Sequence, residues 1–467
     1  MWGGLIKEGW FLALWPGFLC MGLRARAEYG VYAGLWRRNA LVALPVRTVR
    51  RRKLNEPIEV VFSGIGGYGA HLVASLMHLQ EEFDCRIVGA ADPHPQGSRV
   101  LDELEKRDVP LYADIEDFYR EAEADLAVIA SPIQFHVPQT CLALSHGSHV
   151  YCEKPLTATV QDGRRMIAAR DEAQKLVAIG YQWSYSPTIQ DLKRDIRSGL
   201  FGAPKRCKTV VLWPRKEAYF RRNNWAGRRK DPEGRWVLDS VINNATAHYL
   251  HNIFFCLGDA ANTSARPVEV TGEIYRAKDI ENFDTGALRA RTAEGVEVLY
   301  YASHSVTNGI GPLISFEFED ATVISEPGHA PFMAHFEDGS TKDYPEPAAG
   351  GRDKLRNMLN AVLGREDLLC TPEAALSHTV CVNGLHDSAG DPVDFPTGRV
   401  RVQGERAERL TWVEGLQEEM LACYRNNVLP SEMGLDWACG GRTVDLRDYG
   451  EFPGGGRIIE PAGTAAE

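Results

Sequence analysis

The sequence predicts an α/β chain: a doubly wound parallel sheet, followed by a second domain built on antiparallel strands. Three observations carry this reading. A glycine-rich turn, Gly64-Ile65-Gly66-Gly67-Tyr68-Gly69, stands between an apolar strand pattern and an amphipathic helix pattern. Strands and helices then alternate up to residue 180. Beyond that point β-rich runs joined by turn signals replace the alternation.

The composition sets the bounds. A chain of 467 residues exceeds one ordinary core, so two domains with appendages are expected. Its 44% hydrophobic and 25% charged content are those of a soluble globular protein. A net charge of −11 argues against a nucleic-acid partner, whose phosphates need excess Lys and Arg. The ten cysteines include no C-x-x-C pair, so they read as buried thiols in a reducing cytoplasm, not as zinc ligands. The apolar stretch 9–23 is short for a membrane span and is broken by Pro16 and Gly17. Its basic flank also fits an export signal poorly, so no membrane partner is expected. The resulting division is an extension over 1–55, a dinucleotide-binding domain over 56–180, a substrate domain over 181–400 and a C-terminal extension over 401–467.

The first elements carry the first chemistry. IEVVFS opens at residue 58 as a buried strand. In the turn that follows, Gly64 permits the tight bend and Gly66 lets backbone approach a pyrophosphate. Gly69 lets the helix pack close to the strand. The free N–H groups at the helix start would face the phosphates. CRIVGAAD is the second strand, and its terminal Asp92 lies 23 residues past Gly69. That is the position of a carboxylate gripping the adenosine ribose, and it favours NAD over NADP. Gln96 and Arg99 lie nearby, so NADP stays possible. A helix near 97–107, the strand LAVIASP at 126–132, a helix from His136 and the strand SHVYCEKPL complete the alternation.

Cys152-Glu153-Lys154-Pro155 ends that last strand. Pro155 biases Lys154 towards extended backbone, so an ammonium projects from the sheet edge where such domains bind ligands. The segments IASPIQFH (129–136), SHGSHVYCEKPLTATVQDGRRM (145–166) and VAIGYQWSYSP (177–187) follow in order. Together with the glycine turn they resemble the glucose–fructose oxidoreductase / inositol dehydrogenase / rhizopine catabolism family. The resemblance spans residues 58–395. It implies a Rossmann domain followed by an α/β domain with a large open antiparallel sheet. It implies NAD(P)-dependent oxidation or reduction of sugars and polyols. Ser131, Gln134 and His136 match positions lining the cofactor, Glu153 and Gln182 match positions near the nicotinamide, and Lys154 matches the catalytic lysine. Relatives of this kind are often homodimers or homotetramers packed through the open sheet.

The second half follows as a helix from Ile189, then β-rich runs at 267–278, 286–306, 313–327 and 333–345. Helices are expected over 353–364, 371–386 and 413–425. Before the first of these runs stands NNATAHYLHN (243–252), which on a helix would put 244, 248, 251 and 252 on one side. The family begins this helix with D-x-G-x-H-x-x-D. Here His248 is retained, Asn244 stands for the first acid and His251 for the second. Asn244 cannot act as a base but can position a hydroxyl. The expected division of labour is His248 as base, Lys154 as stabiliser of developing alkoxide and Asn244 as positioner. A metal between His248 and His251 would need a carboxylate that is not evident, so no metal is expected. An ordinary capped helix with polar decoration is the structural alternative.

Between strand and helix, residues 213–236 interleave eight Arg and Lys with aromatic residues. This reads either as a solvated basic loop or as a grip for an acidic, phosphorylated or oligomeric sugar. Trp183 and Ser184 replace the family's basic pair after its G-Y-N, so a standard specificity does not carry over. Two further functions stay open. One is redox-neutral glycoside cleavage with retained NAD, and the other is a non-catalytic nucleotide-binding sensor.

Overall fold

The computed structural model describes residues 56–325, 331–348 and 350–454. The extension 1–55, with its apolar stretch, lies outside the described residues.

The first sheet holds β1 (Ile58–Ser63), β2 (Cys85–Ala91), β3 (Leu111–Tyr112), β4 (Leu126–Ile129), β5 (His149–Cys152) and β6 (Val177–Ile179). They lie in the order β3-β2-β1-β4-β5-β6, and every pairing is parallel. This is the doubly wound order that reverses between its first and fourth strands. Its strands are apolar without alternation because both faces are covered. In β1, Ile58, Val60 and Phe62 face one core cluster and Val61 the other. The covering helices are α1 (Gly67–Leu79), α2 (Leu101–Lys106), α3 (Ile115–Glu121), α4 (His136–Ser145) and α5 (Val160–Ala173). The helix expected near 97–107 is shorter at its start, where Pro95–Gly97 form a separate 3-10 turn.

After α6 (Pro187–Arg197) comes β7 (Pro204–Leu212), a single turn α7 (Glu217–Phe220) and α8 (Ala247–Cys256). Then follow β8 (Pro267–Arg276), β9 (Thr285–Thr292), β10 (Glu297–Ser303), β11 (Ile310–Phe318), β12 (Ala321–Ser325), β13 (Phe332–Phe336) and β14 (Thr341–Tyr344). The expected run 286–306 is a hairpin, turned at Gly295 with φ +88°. The run 313–327 likewise divides between β11 and β12. These strands form a large sheet in the order β14-β13-β12-β11-β7-β10-β9-β8. It is antiparallel except where β10 pairs β7 and where the short β15 (Val393–Asp394) pairs β8, both in parallel.

Two helices after this sheet return to the first. α9 (Gly351–Val362) lays Leu355, Met358 and Leu359 into the core shared with α1. α10 (Pro372–Ala389) runs between α5 and β8, started by Thr371, whose hydroxyl accepts from Ala374 N. The tail continues as β16 (Val400–Gln403), β17 (Leu410–Val413), α11 (Leu416–Asn426) and β18 (Val444–Asp445). It covers the second face of the large sheet. Leu416, Met420, Leu429 and Trp437 pack on Val210, Leu212, Leu299 and Tyr301, all buried. Both faces of β7 and β10 are therefore apolar, which explains the unbroken runs TVVL and VLYYA.

No described helix is long and apolar enough to cross a membrane.

Candidate active site

The site lies where β1 and β4 part. Gly64 has φ +84°, and a Cβ there would stand 2.8 Å from the Ala130 carbonyl. A Cβ at Gly69 would stand 2.1 Å from the Gly64 carbonyl oxygen, so α1 starts hard against the turn. The other glycines border open space. A Cβ at Gly66 would meet only Asp92 Oδ2 at 3.8 Å, and one at Gly67 nothing within 4 Å. Ile65 is buried and Tyr68 exposed. Asp92 Oδ2 accepts from Ile65 N at 3.0 Å and Gly66 N at 3.3 Å, and Oδ1 accepts from His94 N at 2.9 Å. Its carboxylate therefore anchors the turn as well as facing the ligand side. A cradle that a side chain would fill, at the N-terminus of a 13-residue helix, fits a dinucleotide pyrophosphate. Gly66→Val is expected to abolish NADH binding while changing stability by no more than about 1 kcal/mol, since Gly66 is in extended backbone. Nicotinamide fluorescence and a thermal melt check this, and retained binding would remove the turn from the site.

Beyond β5 the chain passes through Glu153 and Lys154 into a cis Lys154–Pro155 bond. Lys154 Nζ donates to the Asn244 carbonyl at 2.9 Å and to Asn244 Oδ1 at 3.0 Å. Burial lowers its pKa to about 8, against the opposing pull of Glu153 and with help from Lys354. Asn244 itself lies in a π-turn, Val241–Ala245, entered through Ser240, whose Oγ accepts from Asn243 N at 3.1 Å. The amide's other end, Nδ2, donates to Asp239 Oδ1 at 2.7 Å. Asp239 is buried, which raises its pKa against the influence of Arg222 and the Gly227 N–H. The carboxylate only accepts, so it turns Asn244 Oδ1 towards Lys154.

Asp239 was not legible as a site residue; its only mark is an acid inside the run WVLDSVI. It stands one hydrogen bond behind Asn244, at the place from which a missing acid could be replaced. Its charge helps keep Lys154 protonated. Asp239→Asn should therefore shift the pH midpoint of turnover down by about 1 unit. An unmoved midpoint would sever Asp239 from Lys154.

Glu153 is bound on three sides. Its Oε1 accepts from Tyr151 Oη at 2.5 Å and from Lys354 Nζ at 2.6 Å, and its Oε2 from Lys154 N at 3.2 Å. Gly180 leaves room for it, since a Cβ there would stand 2.7 Å from Oε1. Lys354 arrives from α9 and also donates to Tyr68 Oη at 3.0 Å. Burial alone would lower its pKa, but Glu153 overrides this and raises it. Lys354 also escaped the sequence reading. Its signal was a lysine on the same stripe as Leu355 and Met358, which is the core-facing side of the helix.

The π-turn revises the expected geometry of 243–252. The wider turn sets Asn244 ahead of the helix proper, and of the polar residues on that helix His251 and Asn252 are buried while His248 is half-buried. His248 is half-buried, edge-on to Tyr181 at 5.9 Å, with Nδ1 buried and unpartnered. Burial, then Lys154 and Lys354, hold its pKa well below the usual histidine value. His251 turns into the core, stacked on Tyr181 at 3.9 Å with Nε2 2.9 Å from Ser184 Oγ. Asn252 is buried beside Cys256.

The other expected cofactor residues divide. Ser131 Oγ donates to Gln139 Oε1 at 2.6 Å. His136 is buried, with Nδ1 2.8 Å from the Pro155 carbonyl and Nε2 3.0 Å from that of Ser131, so it ties the two strand ends together. Gln134 lines a separate cavity of about 270 Å³ with Arg235 and Trp236. Gln182 is half-buried at the start of the 3-10 turn Gln182–Tyr185.

Known proteins resemble this chain in part of its sequence and in its fold. Residues 58–181 match the oxidoreductase family with an NAD-binding Rossmann fold. An inositol 2-dehydrogenase of Saccharopolyspora erythraea is 29% identical over 167 residues, 35% of this chain and 50% of that protein. A 2,7-anhydro-N-acetylneuraminate hydratase of Mediterraneibacter gnavus is 25% identical over 41% of this chain and 45% of that protein. The chain thus spans half or less of the length of these curated relatives. The crystal structure of the WlbA dehydrogenase from Bordetella pertussis, in complex with NADH and UDP-GlcNAcA, has the same fold. Its TM-score is 0.59 at 19% identity, over 71% of this chain and 97% of that one. With a glycine turn of this geometry and the Glu153-Lys154-Pro155 edge beside it, residues 58–181 belong to the glucose–fructose oxidoreductase / inositol dehydrogenase / rhizopine catabolism family of NAD-binding oxidoreductases.

Proposed function

We propose that the protein is an NAD-dependent oxidoreductase acting at an alcohol carbon of a sugar, polyol or sugar acid. The observation that carries this reading is Lys154, held by Asn244 beside the glycine turn with its pKa lowered to about 8. Bound NAD would supply the hydride acceptor. Lys154, with a pKa lowered to about 8, has a neutral fraction near physiological pH and exchanges the hydroxyl proton. The depressed pKa of His248 makes it a poor base, so its neutral imidazole holds the reacting oxygen by hydrogen bond. The base role expected of His248 thereby passes to Lys154. Asn244 and, behind it, Asp239 position the amine. Asp92 supports NAD over NADP. The inositol and UDP-sugar named for the similar proteins support a carbohydrate-like substrate. Nine free cysteines among the described residues, all but one of them buried or half-buried, support a cytoplasmic setting.

The test is absorbance of reduced nicotinamide, using purified protein, NAD and pooled sugars, polyols and sugar acids. A rise that is absent in Lys154→Met is expected. A second reading, redox-neutral chemistry with retained NAD, is favoured by the similarity to a hydratase. Cofactor that copurifies, with substrate consumed and no rise, would select it.

A further inference from the structure

We infer that Arg215, together with Arg222, forms an oxyanion subsite beside the Lys154 cleft, so that the substrate bears a carboxylate or a phosphate. This rests on the dehydrogenase reading and specifies its substrate.

The subsite connects to the reacting centre through named contacts. Lys154 is held by Asn244, and Asn244 by Asp239. Asp239 Oδ2 lies 3.8 Å from Arg222 Nη2. The Arg222 guanidinium lies 3.8 Å from the Tyr219 ring centre, and that of Arg215 lies 5.1 Å from the same ring and 5.8 Å from Trp213.

Arg215 differs from Arg221, Arg229 and Arg235 of the basic segment in having no carboxylate partner among the described residues. Arg221 meets Glu217 at 2.9 Å, Arg229 meets Asp391 at 2.8 Å and Arg235 meets Asp231 at 2.6 Å. Arg215 is half-buried, yet no carboxylate among the described residues pairs with it, and its Nε is buried without a partner. A desolvated guanidinium without a counter-anion is costly, and a bound oxyanion removes that cost. Beside it stands His304, 1% exposed, with Nδ1 2.8 Å from the Trp213 carbonyl and Nε2 unpartnered. Burial drives His304 down to about 3, and Arg215, Lys278 and Arg222 push the same way. The guanidinium fork matches carboxylate and phosphate geometry, and the Trp213 and Tyr219 rings lie beside it.

Tryptophan fluorescence of NADH-saturated protein tests this, because bound NADH keeps anionic probes off the glycine turn. The probes are glucuronate, glucose 6-phosphate and glucose. At least one anionic probe should bind about 10-fold or more tighter than glucose, the low end for a charged hydrogen bond. Arg215→Gln should erase that margin and leave glucose unchanged, while Arg215→Lys should keep part of it. The preferred anionic probe identifies carboxylate or phosphate as the source. Equal affinity for all three probes, no anion binding, or an intact margin in Arg215→Gln would overturn the subsite. Failure of NADH to bind would instead overturn the dehydrogenase reading, and glucuronate titration of the NADH-free protein would still decide the subsite.

Discussion

Replacing Lys154 with Met should lower turnover by at least about 100-fold, the usual scale for a proton-transferring group. The stem of the side chain survives this change and only the amine is lost. NADH affinity should stay within a few-fold, because the glycine turn and Asp92 do not touch Lys154. The pH profile carries the sharper test. If Lys154 accepts the hydroxyl proton, its neutral form is the active one in the oxidation direction. The logarithm of kcat/KM should then rise with pH, bend near 8 and level off, following the lowered pKa. Lys154→Arg keeps the charge but cannot deprotonate near that pH, so it should be as inactive as the Met variant. A flat wild-type profile, or turnover in Lys154→Met within about 10-fold of wild type, would remove Lys154 from proton transfer.

The second large effect is on stability. Lys354 and Glu153 meet at 2.6 Å with side chains 1% and 9% exposed. Lys354→Met would leave the carboxylate buried with only the Tyr151 hydroxyl and the Lys154 N–H to satisfy it. Breaking one side of such a pair costs about 3–5 kcal/mol. The double variant Glu153→Leu, Lys354→Met removes both charges and should recover most of that loss. Urea midpoints of the four proteins measure it. A cost in Lys354→Met below about 1 kcal/mol, or a double variant less stable than the single, would show the pair to be solvated.

The legible parts of the fold were those with local signals. The glycine turn, Asp92 and the Lys154 edge are each encoded within a few residues of the strand that presents them. The doubly wound order followed from alternation plus that turn. What stayed hidden depends on distant segments meeting. Lys354 is 201 residues from Glu153, and no pattern on α9 names its partner. Asp239 meets Asn244 at the entry to the π-turn Val241–Ala245, and nothing in VINNA requires the extra residue. The single helix expected over 243–252 is interrupted at that same turn. The unalternating strands TVVL and VLYYA did carry a signal that both sheet faces are covered, but not what covers the second.

That covering comes from the chain itself. Leu416, Met420, Leu429 and Trp437 occupy one face of the large sheet over β7 and β10. The cover is tethered, so its local concentration is fixed by the chain and not by the amount of protein in solution. Dilution therefore cannot uncover this face, whereas it would uncover one shielded by a partner. A second copy could reach this part of the sheet only by displacing those four side chains.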